Sequence, residues 1–217
     1  MIDIFKLTKS YKDRDIFQEA TVHFEGNSIH YLMGANGAGK TSLIKCLLGL
    51  ESYDGTITFD SKSISNRRNE IAVVFDDTPF FPSQSGYSNV SLLSKGRVNK
   101  KRVEEFAQKL GIYSLLSSKV KYYSYGEKKK LGLLLAFQSE PSYVILDEIS
   151  NGLDYDTMCL LQNLLPQWAE HTTILVTGHH YEFYRAMVDR LFVIKDKDIQ
   201  EVYDFDKEIK ELNSYAE

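Results

Sequence analysis

One octapeptide constrains this chain more than any other stretch: Gly34-Ala-Asn-Gly-Ala-Gly-Lys40-Thr41. It satisfies G-x-x-x-x-G-K-[ST], with an apolar strand-like run (IHYLM) before it and a helix-like run (TSLIKCLLGL) after it. Small residues let the backbone N–H groups of Asn36, Gly37, Ala38 and Gly39 curl around an anion, and Lys40, Thr41 and Ser42 open a helix whose N-terminal dipole favours negative charge. Lys40 supplies a point charge for the β- and γ-phosphates of a nucleotide, and the Thr41 hydroxyl is a ligand for Mg²⁺. A chain with this element in this context folds around a strand–loop–helix unit that binds nucleoside triphosphate.

The second signal is Tyr143-Val-Ile-Leu-Asp147-Glu148, an apolar strand ending in two carboxylates. Adjacent strand residues point to opposite sides. Asp147 is therefore assigned to the Mg²⁺ side and Glu148 to the water that attacks the γ-phosphate. Ile71 to Phe75 (IAVVF), Tyr143 to Leu146, Thr173 to Val176 and Leu191 to Ile194 read as strands buried on both faces. Ile2 to Leu7, Ala20 to Phe24, Ser28 to Met33 and Thr56 to Phe59 read as further short strands. From Ser85 to Gln138 the spacing becomes helical, with starts at Ser88-Asn89 and Asn99 and a stop at Gly111. The charged tail with Ile209 and Leu212 predicts a short amphipathic helix. The order of elements predicts an α/β core, a β-rich N-terminal layer and a helical insertion, about residues 85–138, within one domain spanning 1–217.

Composition narrows the function classes. The 217 residues carry 26 Lys+Arg against 30 Asp+Glu, a net charge of −4, which gives no support for nonspecific nucleic-acid binding. No apolar run approaches the roughly 18–20 residues that span a bilayer, and the N-terminus has no signal-peptide core. Two distant cysteines, Cys46 and Cys159, predict a reduced, cytoplasmic protein, with Cys46 a small core residue of the helix after the phosphate loop.

With these motifs in this order, the chain resembles the nucleotide-binding domain of the ATP-binding cassette (ABC) ATPases over about residues 1 to 200. The family signature is matched by Tyr123-Ser124-Tyr125-Gly126-Glu127, and the longer run YSYGEKKKLGLLLAF is similar to the form found in peptide-antibiotic-resistance and related ABC-2-type exporters. Glu148-Ile-Ser-Asn-Gly-Leu-Asp154 resembles the family's EPTNGLD, making Asp154 its D-loop aspartate. TILVTGHHYE resembles the H-loop, with His179 the switch histidine, and Tyr11 stands where the family places the aromatic that stacks on adenine.

The resemblance implies a P-loop NTPase (RecA-like) core with an N-terminal antiparallel β-subdomain and an inserted helical subdomain. It implies Mg²⁺-dependent ATP hydrolysis, with Ser124 and Gly126 acting on the nucleotide of a second nucleotide-binding domain in an ATP-dependent dimer. It also implies a separate transmembrane permease subunit, and a place at the cytoplasmic face of the membrane through that partner. The sequence departs from the family at the Q-loop, where Asp76 stands for glutamine and is expected to ligate Mg²⁺ in its place. Tyr125 and Glu127 replace Gly and Gln in the signature, and Lys128-Lys129-Lys130 is read as a solvated helix face. Phe80, Phe81 and Tyr87 are candidate groove residues for the membrane subunit, with core packing the competing reading. The alternative function is a non-transport or catalytically impaired regulatory ABC ATPase; the retained Glu148 and His179 weigh against it.

Overall fold

The computed structural model describes residues 1–12, 14–94 and 98–214, with side chains to residue 210. Two sheets form the frame. The first is antiparallel, in the order β2-β1-β4, built from β1 (Ile2–Tyr11), β2 (Arg14–Phe24) and β4 (Asp54–Phe59). The second has six strands in the order β5-β6-β7-β3-β8-β9. Its strands are β3 (Ile29–Met33), β5 (Ile71–Val74), β6 (Tyr143–Leu146), β7 (Thr173–Thr177), β8 (Arg190–Lys195) and β9 (Asp198–Val202). The first five of these in spatial order run parallel and β9 closes the sheet antiparallel to β8.

The strand period of two divides the core between the faces of the larger sheet. Leu32, Ile145, Leu175 and Phe192 point to the antiparallel sheet and to α1 (Lys40–Leu47), whose buried Leu43, Ile44, Cys46 and Leu47 fill the space between them. Tyr31, Val144, Leu146, Val176 and Val193 point the other way, onto the helices. The short α2 (Ile64–Arg67) follows β4, and α3 (Gly86–Leu93), α4 (Lys100–Lys109) and α5 (Tyr125–Phe137) come between β5 and β6. Then α6 (Tyr155–Ala169), α7 (Tyr181–Arg185) and α8 (Phe205–Ser214) complete the chain. The α/β core with its antiparallel layer therefore forms as expected.

Four local expectations need correction. Ile71 to Phe75 is not buried on both faces: β5 is an edge strand, and of its residues only Val74 is fully buried. The helix placed at Ser88-Asn89 is capped earlier, by Ser85, whose hydroxyl accepts the Ser88 N–H at 3.1 Å. The Asn99 start does form, its side chain accepting the Arg102 N–H. Strand β9 carries no strand signal in the sequence, because only Ile199 of DIQEV is fully buried and Val202 packs on the core partly buried. Finally, Lys128-Lys129-Lys130 is no solvated face: the Lys129 side chain is 2% exposed. In α8, Ile209 packs on the core, while the side chain of Leu212 lies outside the described residues.

Candidate functional site

The site lies at the C-terminal ends of β3, β6 and β7. Parallel pairing sets Leu146 beside Val176 and Leu32 beside Thr177, so Asp147 emerges at the level of Thr177 and the phosphate loop opens at Gly34, just beyond β3. Gly39 ends the phosphate loop at φ 122°, in the left-handed region, and a Cβ there would strike the side chain of Ile16. Gly37 also has positive φ, and its carbonyl accepts a hydrogen bond from Arg14 Nη2 at 2.8 Å. Ala35, Asn36 and Gly37 are exposed, Ala38 and Ser42 half-buried and Thr41 exposed, so the loop presents its backbone and the first helical hydroxyls outward.

Lys40 is buried at 8% exposure, and its ammonium donates to the Gly34 carbonyl at 2.8 Å. It lies 3.4 Å from His179 Nε2 and 3.9 Å from Glu148 Oε1, which is itself 3.3 Å from His179 Nε2. Three of the expected site residues thus meet at one point. Burial lowers the Lys40 ammonium below its ordinary value, with Glu148 and Asp147 pulling it back up. The other Glu148 oxygen, Oε2, is buried with no hydrogen-bond partner among the described residues. An unpartnered buried carboxylate oxygen is costly to keep. On a carboxylate whose other oxygen faces the lysine of the phosphate loop, it suits a bound water or metal-bound group.

Asp147 is buried, and its Oδ1 accepts the Thr177 hydroxyl at 2.7 Å. Burial raises its carboxyl above the usual range, opposed by that hydrogen bond. The Glu148 N–H donates to the same Thr177 oxygen at 3.1 Å. Thr177 therefore sets both acids, a role foreshadowed in the sequence only by a hydroxyl residue ending an all-apolar strand. Two tyrosines anchor the histidine loop from beneath. Tyr31 donates to the Gly178 carbonyl at 2.7 Å. The buried Tyr184 hydroxyl donates to the Thr177 carbonyl at 2.9 Å, lies 3.1 Å from Ser150 Oγ and accepts the Ser150 N–H at 3.4 Å.

The signature residues stand apart from this cluster. Ser124 caps α5 in a reciprocal box, its hydroxyl accepting the Glu127 N–H at 3.2 Å while Glu127 Oε2 accepts the Ser124 N–H at 2.6 Å. Ser124 is exposed, and among the described residues no hydrogen bond joins it or Gly126 to the phosphate loop. Gly126 fits against the Gly152 carbonyl, where a Cβ would not fit, and the Tyr125 ring covers Gly152. Asp154 caps α6 through the Thr157 N–H at 2.8 Å and pairs with Lys130 at 2.6 Å.

Asp76 is occupied by protein. Its Oδ1 accepts the Lys129 ammonium at 2.8 Å and the Tyr125 hydroxyl. Burial works to raise its carboxyl, but those hydrogen bonds prevail and hold it below the ordinary value. Tyr11 also has partners: its hydroxyl bonds Glu51, and the Lys9 ammonium lies 4.4 Å from its ring centroid. Cys46 is buried, its thiol pushed up to about 11 by desolvation, as suits a packing residue. Phe80 and Tyr87 pack against the helical side of the core, while Phe81 is half exposed. Beside edge strand β5 runs a groove lined by Ile71, Ala72, Val73, Leu93, Arg102 and Leu135.

Comparison with known proteins agrees with this geometry. Residues 17–151 match the family model described as ABC transporter. The chain is 29% identical over 98% of its length to the lantibiotic transport ATP-binding protein SrtF of Streptococcus pyogenes, covering 95% of that protein. It is 28% identical over its whole length to the bacitracin transport ATP-binding protein BcrA of Enterococcus faecalis, covering 73% of it. Among solved structures, one described as the ATP binding subunit of an ABC transporter superposes with a TM-score of 0.88 at 19% identity, over 98% of this chain and 99% of that one. CbiO1 of Clostridium perfringens, described as part of the ABC transporter complex cbiONQ, superposes at 0.78 with 24% identity, over 99% and 92% of the two chains. These two likenesses carry the fold alone.

Proposed function

The chain belongs to the ABC transporter family, and from that premise we propose that it is the ATP-binding and ATP-hydrolysing subunit of an exporter, acting as a dimer on a separate membrane subunit. The observation that carries this reading is the meeting of Lys40, Glu148 and His179 beside the phosphate loop, with one Glu148 oxygen left unpartnered.

In this reading Asn36 to Gly39 bind the phosphates through backbone N–H groups, and Lys40 neutralises their charge. The hydroxyl of Thr41 and the carboxylate of Asp147 form an all-oxygen set suited to Mg²⁺, held by Asp147 through water. Mg²⁺ would supply charge neutralisation on the β- and γ-phosphates. Asp76 was expected to join that set, but Lys129 competes for it. Glu148 accepts a proton from the attacking water, and His179, within reach of the same carboxylate oxygen, orients the γ-phosphate side of the site. Tyr11 is proposed to lie against the adenine ring.

Ser124 and Gly126 lie at the start of α5, whose positive helix end is proposed to face the nucleotide of the second subunit. ATP binding then closes the dimer, and hydrolysis releases it. The groove beside β5 and the exposed Phe81 are proposed to receive a segment of the membrane subunit. No described helix is long and apolar enough to cross a membrane, so the transported molecule is selected on the partner chain. SrtF and BcrA, named for lantibiotic and bacitracin transport, point to peptide antibiotics as the exported class.

The test is ATP turnover by wild type and Glu148→Gln, alone and with the membrane subunit, alongside nucleotide binding. Turnover in wild type that vanishes in Glu148→Gln while binding persists is the expected result. A wild type that binds ATP and never hydrolyses it, even with the partner, would establish the regulatory alternative instead.

A further inference from the structure

Lys129 is a buried cation with an unusual set of partners. From the second turn of α5 its ammonium reaches Asp76 Oδ1 at 2.8 Å and the carbonyl of Glu148 at 2.6 Å, and it lies 5.4 Å from the ring centroid of Tyr125. Tyr125 completes the knot by donating its hydroxyl to the same Asp76 oxygen. One side chain therefore gathers the signature helix, the residue pair after β5 and the backbone of the catalytic acid.

The backbone of Glu148 needs such support. Its φ is +50°, in the left-handed region that non-glycine residues seldom hold unless their surroundings fix them. Its N–H is fixed by Thr177, and its C=O by the Lys129 ammonium and, at a longer 3.2 Å, by the Asn151 N–H. Asp76, for its part, stands 48% exposed and gives the lysine its only carboxylate among the described ion pairs. A buried ammonium without an anion would be strongly disfavoured.

We propose that Lys129 is a positioning residue for hydrolysis: paired with Asp76, it fixes the left-handed backbone of Glu148 and so aims the catalytic carboxylate, linking the signature helix mechanically to the acid. Asp76 is then the counterion of Lys129 and not a metal ligand. The proposal rests on Glu148 being the hydrolytic base, and its test keeps the two apart.

The full chain is compared as wild type, Lys129→Met, Asp76→Asn, the double variant and Glu148→Gln. Steady-state turnover, Mg²⁺ titration, binding of a fluorescent ATP analogue and amide hydrogen exchange of the Glu148–Leu153 segment are measured. Lys129→Met is expected to lower kcat about tenfold, leave analogue affinity within about twofold and speed exchange in that segment. Adding Asp76→Asn to Lys129→Met should change kcat and the half-saturating Mg²⁺ concentration by less than about twofold, since the pair acts as a unit.

The double variant buries no lone charge and carries the same test if a single variant does not fold. A kcat within about twofold of wild type in Lys129→Met or the double variant, with unchanged exchange, overturns the positioning role. A rise of more than about fivefold in half-saturating Mg²⁺ on adding Asp76→Asn to Lys129→Met makes Asp76 a metal ligand and overturns the counterion role. Full turnover in Glu148→Gln defeats the underlying reading of Glu148, whatever Lys129 does.

Discussion

The two regions proposed to face nucleotide are built on opposite plans. Around the phosphate loop, Lys40 and Asp147 are buried, parallel strand register sets the acids, and Thr177 and Tyr184 tie the acid loop to the end of β7. At the start of α5, Ser124 is exposed and its hydrogen bonds return to its own helix. The first region is a preorganised pocket, whose polar groups are fixed before any ligand arrives. The second is a capped helix end, stable by itself and turned outward. The contrast teaches that the proposed catalytic groups are assembled within the chain, while the signature residues are left on an exposed helix end.

The largest effect that would sharpen this contrast is in the pocket. Glu148→Gln keeps the shape and loses the base, and turnover should fall by at least about a hundredfold with ATP affinity retained. Lys40→Ala, by comparison, should lose affinity, read with the same fluorescent nucleotide. Next comes Tyr184→Phe, which strips the shared hydroxyl from the Thr177 carbonyl and Ser150. Leaving such buried groups unmatched should cost about 2 kcal/mol in urea unfolding. An unchanged unfolding midpoint would mean that the pocket's rigidity does not depend on this network.

Ser124→Ala probes the outward region. Losing the capping acceptor should cost about 1 kcal/mol of stability. It should also reduce turnover while ATP binding to the phosphate loop of the same chain stays intact. Equal losses of binding in Ser124→Ala and Lys40→Ala would erase the distinction between the regions. The smallest effect concerns Glu51. The Tyr11 hydroxyl, with Lys9 and Lys45, holds its carboxyl down to about 2 from an ordinary 4.5. A depressed acid stabilises the fold above its unfolded pKa and loses that contribution as pH falls through the folded value. The melting difference between wild type and Glu51→Gln should therefore be full at neutral pH and shrink as the pH drops from 4.5 towards about 2.

Legibility in the sequence followed the same divide. The pocket could be read because its parts are local: a glycine loop between strand and helix, and two acids ending an apolar run. What joins those parts could not. Thr177 meets Asp147 only through sheet order, which brings β6 beside β7 from 30 residues away. Lys129 looked like one third of a solvated basic run, because its anion lies 53 residues back on another element. Ser124 was legible as a cap, since a hydroxyl followed three residues later by Glu127 is a helix start on its own terms. The edge strands were misjudged for one reason at both ends of the sheet. Apolar IAVVF looked central and polar DIQEV gave no strand signal, and position in the sheet, not side-chain character, decided both.

The interlock of Gly126, Tyr125 and Gly152 bears on how genetics with this protein should be interpreted. A side chain at Gly126 would meet the Gly152 carbonyl of its own chain, in the loop that follows Glu148. A substitution there therefore damages the helix end it was meant to probe and also disturbs the acid loop in cis. In the proposed dimer, mixed from wild-type and Gly126→Ala chains, the defect should therefore not segregate to a single composite site. Complementation between Gly126 and Glu148 alleles should accordingly be poorer than between Ser124 and Glu148 alleles, because the Ser124 hydrogen bonds stay within its own helix end.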